Sequence, residues 1–202
     1  MEISVIVTNY NYGRFIGRCL RSLTDQSVSQ NRFEIVVVDD ASTDDSRAII
    51  GLFADRIKAI NLHSNGGLSN ASNIAINAST GRYIVRVDSD DFVHRDFLHT
   101  LLLGFELLGR ECEAISTDYL LVDSSGEYIG YGSQELNPIA CGIAFKMDAL
   151  ESLGYYTNNL RFGEDTDLKH RFDDSGYRQV HVNLPLYRYV QHTDSLSRSV
   201  LI

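Results

Sequence analysis

Four short runs rich in valine and isoleucine, Ile3 to Thr8, Glu34 to Val38, Ile57 to Leu62 and Arg82 to Val87, are separated by segments with helical spacing. Parallel strands need long crossovers, so this alternation constrains the chain to an open, mainly parallel sheet with helices on both faces. In the first connector Phe15, Ile16, Cys19, Leu20 and Leu23 form one apolar stripe, the face a crossover helix buries. The second opens with Ser42-Thr-Asp-Asp45, a loose capping box, and then presents Ile49, Ile50 and Phe53. The third runs from Leu68 to Ala78, after an Asn65-Gly66-Gly67 turn.

Beyond residue 92 the pattern loosens. The spacing predicts a helix from about Arg95 to Leu108, strands at Ala114 to Val122 and Tyr128 to Gly132 around a Ser124-Ser-Gly126 turn, a helix from Asp165 to Asp173, and a strand from Tyr177 to Val182. The stretch from Tyr187 to Ile202 is polar and reads as loop, and Pro138 and Pro185 mark turns. No repeat or linker divides the 202 residues, which suit one domain able to bury a core without disulfides.

A net charge of -9 argues against a general nucleic-acid-binding surface. Cys19, Cys112 and Cys141 show neither metal-ligand nor redox spacing, so they are expected to be reduced, buried thiols in a cytoplasmic setting. The start Met1-Glu-Ile-Ser-Val-Ile-Val-Thr8 reads as a strand and not as a secretory signal. Leu101 to Leu108 is too short to cross a bilayer and is interrupted by Glu106. Peripheral association with the inner face of a membrane stays open.

Each predicted strand is followed by a polar cluster: Thr8 to Asn11, Asp39 and Asp40, Asn65 to Gly67, and Asp88 to Asp91. In a parallel sheet those tips share one edge, where ligands bind. Alternation along an extended chain would put Asp88 and Asp90 on the same side, where like charges repel unless a proton or cation separates them. Oxygen ligands of this kind suit Mg²⁺ or Mn²⁺ with positions left for phosphate oxygens. An acidic surface turn is the alternative for any one tip; four polar tips together favour a site.

The segments Ser4-Val-Ile-Val-Thr-Asn-Tyr-Asn11, Ile35-Val-Val-Val-Asp-Asp-Ala-Ser-Thr-Asp44, Asn65 to Asn73, Gly81-Arg-Tyr-Ile-Val-Arg-Val-Asp-Ser-Asp-Asp91 and Gly163-Glu-Asp-Thr-Asp-Leu168 resemble, in order, the motifs of family-two glycosyltransferases of GT-A type. The resemblance extends from residue 3 to about residue 198. It implies a Rossmann-like α/β sandwich with a smaller acceptor-side subsheet. Residues 1 to 92 would form the nucleotide-sugar-binding half and 93 to 202 the acceptor-binding and catalytic half.

By that resemblance Thr8, Tyr10, Asp40, Asn65 and Gly66 would hold the nucleotide, with Asp39 fixing the loop. Asp88-Ser-Asp90 resembles a metal-binding Asp-x-Asp motif. Asp90 is then the best direct ligand of Mn²⁺ or Mg²⁺, Asp88 faces ribose or metal, and His192 resembles a late histidine that completes such sites. Asp165 corresponds to a catalytic base and Glu164 to a group orienting acceptor or loop, although an acidic helix start explains both on dipole grounds alone. Cys141-Gly-Ile-Ala-Phe-Lys146 falls where relatives place small residues beside donor and acceptor, and reads equally as a tight strand-to-helix connection. Ser72 stands where many relatives carry an arginine.

The implied activity is metal-dependent, inverting transfer from a nucleotide diphosphate sugar, a UDP-sugar first, to the hydroxyl of a glycan, lipid-linked or protein acceptor. Two rivals share the sheet and the acids. A sugar nucleotidyltransferase would want a glycine-rich basic phosphate loop, of which Asn11-Tyr-Gly-Arg14 is a poor version. A noncatalytic nucleotide-sugar-binding module is the other.

Overall fold

The structure, a computed structural model, describes residues 1–158, 160 and 163–193. The strands β1 (Ile3–Asn9), β2 (Phe33–Asp39), β3 (Lys58–Asn61) and β4 (Tyr83–Arg86) pair in parallel in the order β3-β2-β1-β4. Between them run the helices α1 (Gly13–Thr24), α2 (Ser46–Gly51) and α3 (Leu68–Asn77). The predicted strand and helix alternation is therefore what folds, within a residue or two at each strand boundary.

Both faces of these strands are covered. Val5, Val37 and Val85 point into a core with Ile16, Leu20 and Leu23 of α1 and with Leu98 and Leu101 of α4 (Phe97–Leu108). Ile6, Val36 and Ile84, one residue out of phase, pack on Ala71 and Ala75 of α3 and on Leu150 and Leu168 of α5 (Met147–Leu153) and α6 (Glu164–Asp174). Burial on both faces explains why the strands read as continuous apolar runs and not as alternating ones.

The sheet continues past β4 through β8 (Ile143–Lys146), β6 (Ala114–Asp123), β9 (Gln179–Gln191) and the two-residue β5 (Phe92–Val93). The strand β7 (Tyr128–Gly132) pairs antiparallel with β6 as a hairpin. The strand β8 runs antiparallel to both β4 and β6, so β6 and its parallel partner β9 regain the direction of the first four strands.

Several expectations are corrected here. The polar segment from Tyr187 is not loop as far as Gln191: it is the second half of the 13-residue β9, paired with β6 up to Asp123↔Gln191. Residues 194–202 lie outside the described residues. Pro185 marks no turn; it sits inside β9 opposite Asp118, where the register shifts, an irregularity that tolerates a residue with no N–H to donate. At the start of α2 the Ser42 hydroxyl caps nothing. It accepts from Asn9 Nδ2 and the Asn11 N–H, while Asp44 accepts from the Ser46 N–H at 2.9 Å. The strands β5 and β8 and the helix α5 were not anticipated, although the strand-to-helix reading of the segment ending at Lys146 matches the direct passage from β8 to α5.

All three cysteines are buried and free. Among the described residues no helix is long and apolar enough to cross a membrane.

Candidate active site

The four parallel strands end on one edge, and the register sets what meets there. Ile6 pairs with Arg86 and Thr8 with Val38, so the tips carrying Thr8, Asp40 and Asp88 lie side by side. Thr8 is buried, Tyr10 is 45% exposed, and Asn65 and Gly66 are exposed. Asp39 is 1% exposed and accepts from Asn9 Nδ2, the Ser42 N–H and Arg47 Nε. Burial opposes its charge, yet those hydrogen bonds hold its carboxyl below the usual range. Asp40 accepts the Gly66 and Gly67 N–H groups, one on each oxygen, both at 2.8 Å. It thereby welds the tip of β2 to the turn before α3. A carboxylate oxygen accepts more than one hydrogen bond, so capacity for a ligand N–H remains.

At the tip of β4 the chain does not stay extended. The Asp91 N–H donates to the Asp88 carbonyl at 3.0 Å, closing a turn over Asp88 to Asp91, so strand alternation is not what orients Asp88 and Asp90. The turn is anchored by Asp91, which is 1% exposed. Its Oδ1 accepts the Val190 N–H and its Oδ2 accepts the Tyr187 hydroxyl, each at 2.7 Å. The same hydroxyl accepts the Asp88 N–H at 3.2 Å. Burial, with Asp90 and Asp88 nearby, pushes the Asp91 carboxyl well above its ordinary range.

The distant residues arrive from the second half of the chain. The end of β9 brings His192 Nε2 to 2.9 Å from Asp90 Oδ2, with the imidazole seated against the Phe15 ring at 4.6 Å and the Tyr12 ring at 5.7 Å. The start of α6 brings Asp165 to Arg86. Arg86 is 4% exposed and donates Nη1–H to Asp165 Oδ1 at 2.8 Å and Nη2–H to Oδ2 at 3.3 Å, with Glu164 at 3.8 Å. Burial works against the charge of Arg86, and Asp165 and Asp88 more than offset this, so the guanidinium stays protonated. Burial and the neighbouring Asp165 push the Glu164 carboxyl up to about 7.

Among the described residues one grouping gathers atoms that could serve a cation. Asp88, Asp91 and Cys141 bring ligand atoms within 4.8 Å of one another. However, both Asp91 oxygens are committed to β9, and burial with Asp88 and Asp91 drives the Cys141 thiol well above its ordinary range, away from thiolate. Of the expected ligands Asp88, Asp90 and His192, the structure pairs His192 with Asp90. Asp88 Oδ1 is buried and lies 2.9 Å from Arg86 Nε without the alignment of a hydrogen bond, an orphaned acceptor that a cation would satisfy. Carboxylate oxygens suit Mg²⁺ and Mn²⁺. Burial, opposed by Arg86 and reinforced by Asp90 and Asp165, raises the Asp88 carboxyl.

Residues 4–126 match the sequence profile of glycosyl transferase family 2. The chain belongs to this family. The glycosyltransferase is 28% identical to glycosyltransferase GlyG of Streptococcus pneumoniae serotype 4, over 98% of this chain and 73% of that protein. It is 31% identical to GlyA of the same organism over 98% of this chain, which spans only 32% of GlyA. Its fold superposes on Staphylococcus aureus TarS 1-349, solved in complex with UDP-GlcNAc, with a TM-score of 0.83 at 22% identity, covering 100% of this chain and 62% of that one. The mannosyltransferase PcManGT from Pyrobaculum calidifontis, solved with GDP-Man and Mn²⁺, gives a TM-score of 0.76 at 21% identity, covering 98% and 59%. These likenesses establish the GT-A Rossmann-like fold of the glycosyltransferase.

Sequence reasoning passed over two residues of the site. Arg86 had a signal: a cation inside a Val- and Ile-rich buried strand needs acidic partners. Tyr187 had none, because its hydroxyl meets Asp91 only through the strand assigned to loop. Ser72, at the position of the departure from the usual motif, is fully buried in α3.

Proposed function

We propose that this glycosyltransferase transfers a sugar from a nucleoside diphosphate sugar, a UDP-sugar foremost, to an acceptor hydroxyl with inversion at the anomeric carbon and with Mn²⁺ or Mg²⁺ as cofactor. The observation that carries the reading is the meeting of Asp165 and Asp88 on one buried guanidinium, 2.8 and 2.9 Å from it, although Asp165 comes from α6 and Asp88 from the tip of β4. The solved complexes of TarS with UDP-GlcNAc and of PcManGT with GDP-Man and Mn²⁺ support the donor class and the cofactor.

In this reading Thr8, Tyr10, Asp40, Asn65 and Gly66 bind the nucleotide, the exposed Tyr10 ring offering a face for the base. Asp90, His192 and Asp88 would hold the cation, and Asp88 would also face the ribose. When bound, the cation supplies positive charge against the diphosphate and makes the nucleotide a better leaving group. Asp165 takes the proton of the acceptor hydroxyl. The acceptor oxygen attacks the anomeric carbon as its bond to the phosphate oxygen breaks, and the electron pair leaves on the nucleoside diphosphate. A single displacement of this kind inverts the configuration through a transition state with oxocarbenium character. Glu164 orients the acceptor. Residues 1–92 act as the donor half and 93–202 as the acceptor half of one catalytic unit, working on a glycan, lipid-linked or protein acceptor at the cytoplasmic side.

Thermal shifts with UDP, GDP, UDP-GlcNAc and GDP-mannose, with and without Mn²⁺, test the donor and the cation, since a ligand selecting the folded state raises its apparent stability. The expected result is a UDP-dependent shift enlarged by Mn²⁺, with the Mn²⁺ increment lost in Asp90→Asn and in His192→Ala. Nucleoside diphosphate, not pyrophosphate, is the expected product. Folded Asp165→Asn enzyme with near-normal transfer would overturn the mechanism, and UDP binding without turnover across acceptors would make the chain a binding module.

A further inference from the structure

We propose that Arg86 is a positioning residue for the transfer: its guanidinium holds the Asp165 carboxylate in the orientation in which that group receives the acceptor proton. The proposal rests on Asp165 being the base.

The geometry is that of a clamp applied from behind. Two N–H groups of Arg86 meet the two oxygens of Asp165, at 2.8 and 3.3 Å, an arrangement that fixes both the position and the plane of a carboxylate. The Arg86 side chain is 4% exposed and that of Asp165 is 27% exposed, so the carboxylate is gripped on its buried side and open on the other. Each oxygen keeps a lone pair beyond the one the guanidinium uses, so the grip leaves Asp165 able to accept a proton.

The clamp itself is held from several sides. Arg86 ends β4, its carbonyl accepts the Gly142 N–H at 2.9 Å, and its Nε lies 2.9 Å from Asp88. On one side of the guanidinium stands the Tyr156 ring, 5.5 Å from Cζ. Tyr156 is fixed in turn by Asn73, which donates Nδ2–H to its carbonyl at 2.8 Å and accepts its N–H at 3.0 Å. Asp165, by contrast, has only the adjacent Glu164 carboxyl as a side-chain partner on its own helix. It is the second residue of α6, whose N-cap Gly163 is in the left-handed region at φ 81° and offers no side-chain cap. Without Arg86 the carboxylate would be free to choose rotamers about a helix start.

Stability alone is a weak reason to bury such a pair, because the desolvation of both ions cancels most of their attraction. A gain in positioning is a stronger one: a displacement of about 1 Å at a reacting group can cost about 100-fold in rate. Arg86 transfers no proton and touches no reacting atom in this scheme. It acts through Asp165, and through Nε it spaces the base from the acid turn that faces the leaving group.

Arg86→Lys keeps the charge but not the two-pronged hold. With the full chain, Mn²⁺ and UDP-GlcNAc or GDP-mannose as donor, release of nucleoside diphosphate is expected to fall about 100-fold in kcat, with KM for the donor within about threefold. In an Asp165→Asn background the same substitution is expected to add nothing further. Arg86→Lys turning over like wild type while Asp165→Asn is silent overturns the clamp. Near-normal turnover by Asp165→Asn overturns instead the assignment of the base. Should Arg86→Lys fail to fold, or wild type release no nucleotide, arginine side-chain ¹⁵N spectra of wild type and Asp165→Asn decide. Hindered guanidinium rotation at Arg86 that vanishes in Asp165→Asn supports the clamp, and spectra unchanged by the substitution refute it.

Discussion

Replacing Tyr187 by phenylalanine removes one oxygen atom from a side chain that is 1% exposed. The ring stays, with its edge-on contact to Phe97 at 6.0 Å, so no cavity larger than the hydroxyl opens. What is lost is the 2.7 Å hydrogen bond to Asp91 Oδ2 and the 3.2 Å bond from the Asp88 N–H. A hydrogen bond between neutral groups contributes about 0.5–1.5 kcal/mol, and stranding a buried polar group costs about 1–3 kcal/mol, so a loss of about 1.5–4.5 kcal/mol follows for the pair. For a chain of this size that corresponds to a melting temperature lower by about 3–18 °C. The chain has no tryptophan, so equilibrium urea unfolding is best followed by far-ultraviolet circular dichroism. Tyr128→Phe on the exposed β7, where Tyr128 is 64% exposed, serves as control and is expected to stay within about 0.5 kcal/mol of wild type. Because Tyr187 also fixes the turn that carries Asp88 and Asp90, UDP affinity in Mn²⁺ is expected to weaken in Tyr187→Phe. A Tyr187→Phe stability indistinguishable from that of the control would refute the claim that this hydroxyl holds the acidic turn.

Two further outcomes follow from the same site. Glu164 has a carboxyl pKa raised from 4.5 to about 7 in the folded chain, so between those values the folded state holds a proton that the unfolded state has released. Its contribution to stability is fully present below the lower value and lost as pH rises through the upper one. Unfolding in urea across about pH 5 to 8 is therefore expected to show wild type losing stability relative to Glu164→Gln as pH rises, and parallel curves would contradict it. Gly142 has φ 75°, and a Cβ there would lie 2.8 Å from the Tyr187 ring, so Gly142→Ala is expected to destabilise the chain by about 1–3 kcal/mol in the same assay.

What the sequence disclosed divides along physical lines. The parallel strands β1 to β4 were legible because both their faces are buried, which leaves uninterrupted valine and isoleucine runs with helical stripes between them. Their polar tips follow from the parallel arrangement. The strand β8 has four residues and passes straight into α5, too short for any period to register. The strand β9 hid behind Pro185 and a string of polar residues, tolerated because much of it is only partly buried and its register slips at the proline. Arg86 and Asp165 each looked ordinary locally, one a strand residue and the other a helix start; their pairing exists only across 79 positions of chain.

The strand β9 has a consequence for how the molecule is made. The Asp88 to Asp91 turn belongs to a part of the chain that leaves the ribosome early, yet its anchors Tyr187 and Val190 and the His192 imidazole are synthesised some hundred residues later. At about 5–20 residues per second, the nascent sheet waits about 5–20 s with a buried aspartate lacking its partners. Closing contacts of such long sequence separation is slow in itself. This edge is thus completed only once β9 is made, and a nascent chain arrested before residue 187 carries the sheet without the means to finish its acidic turn.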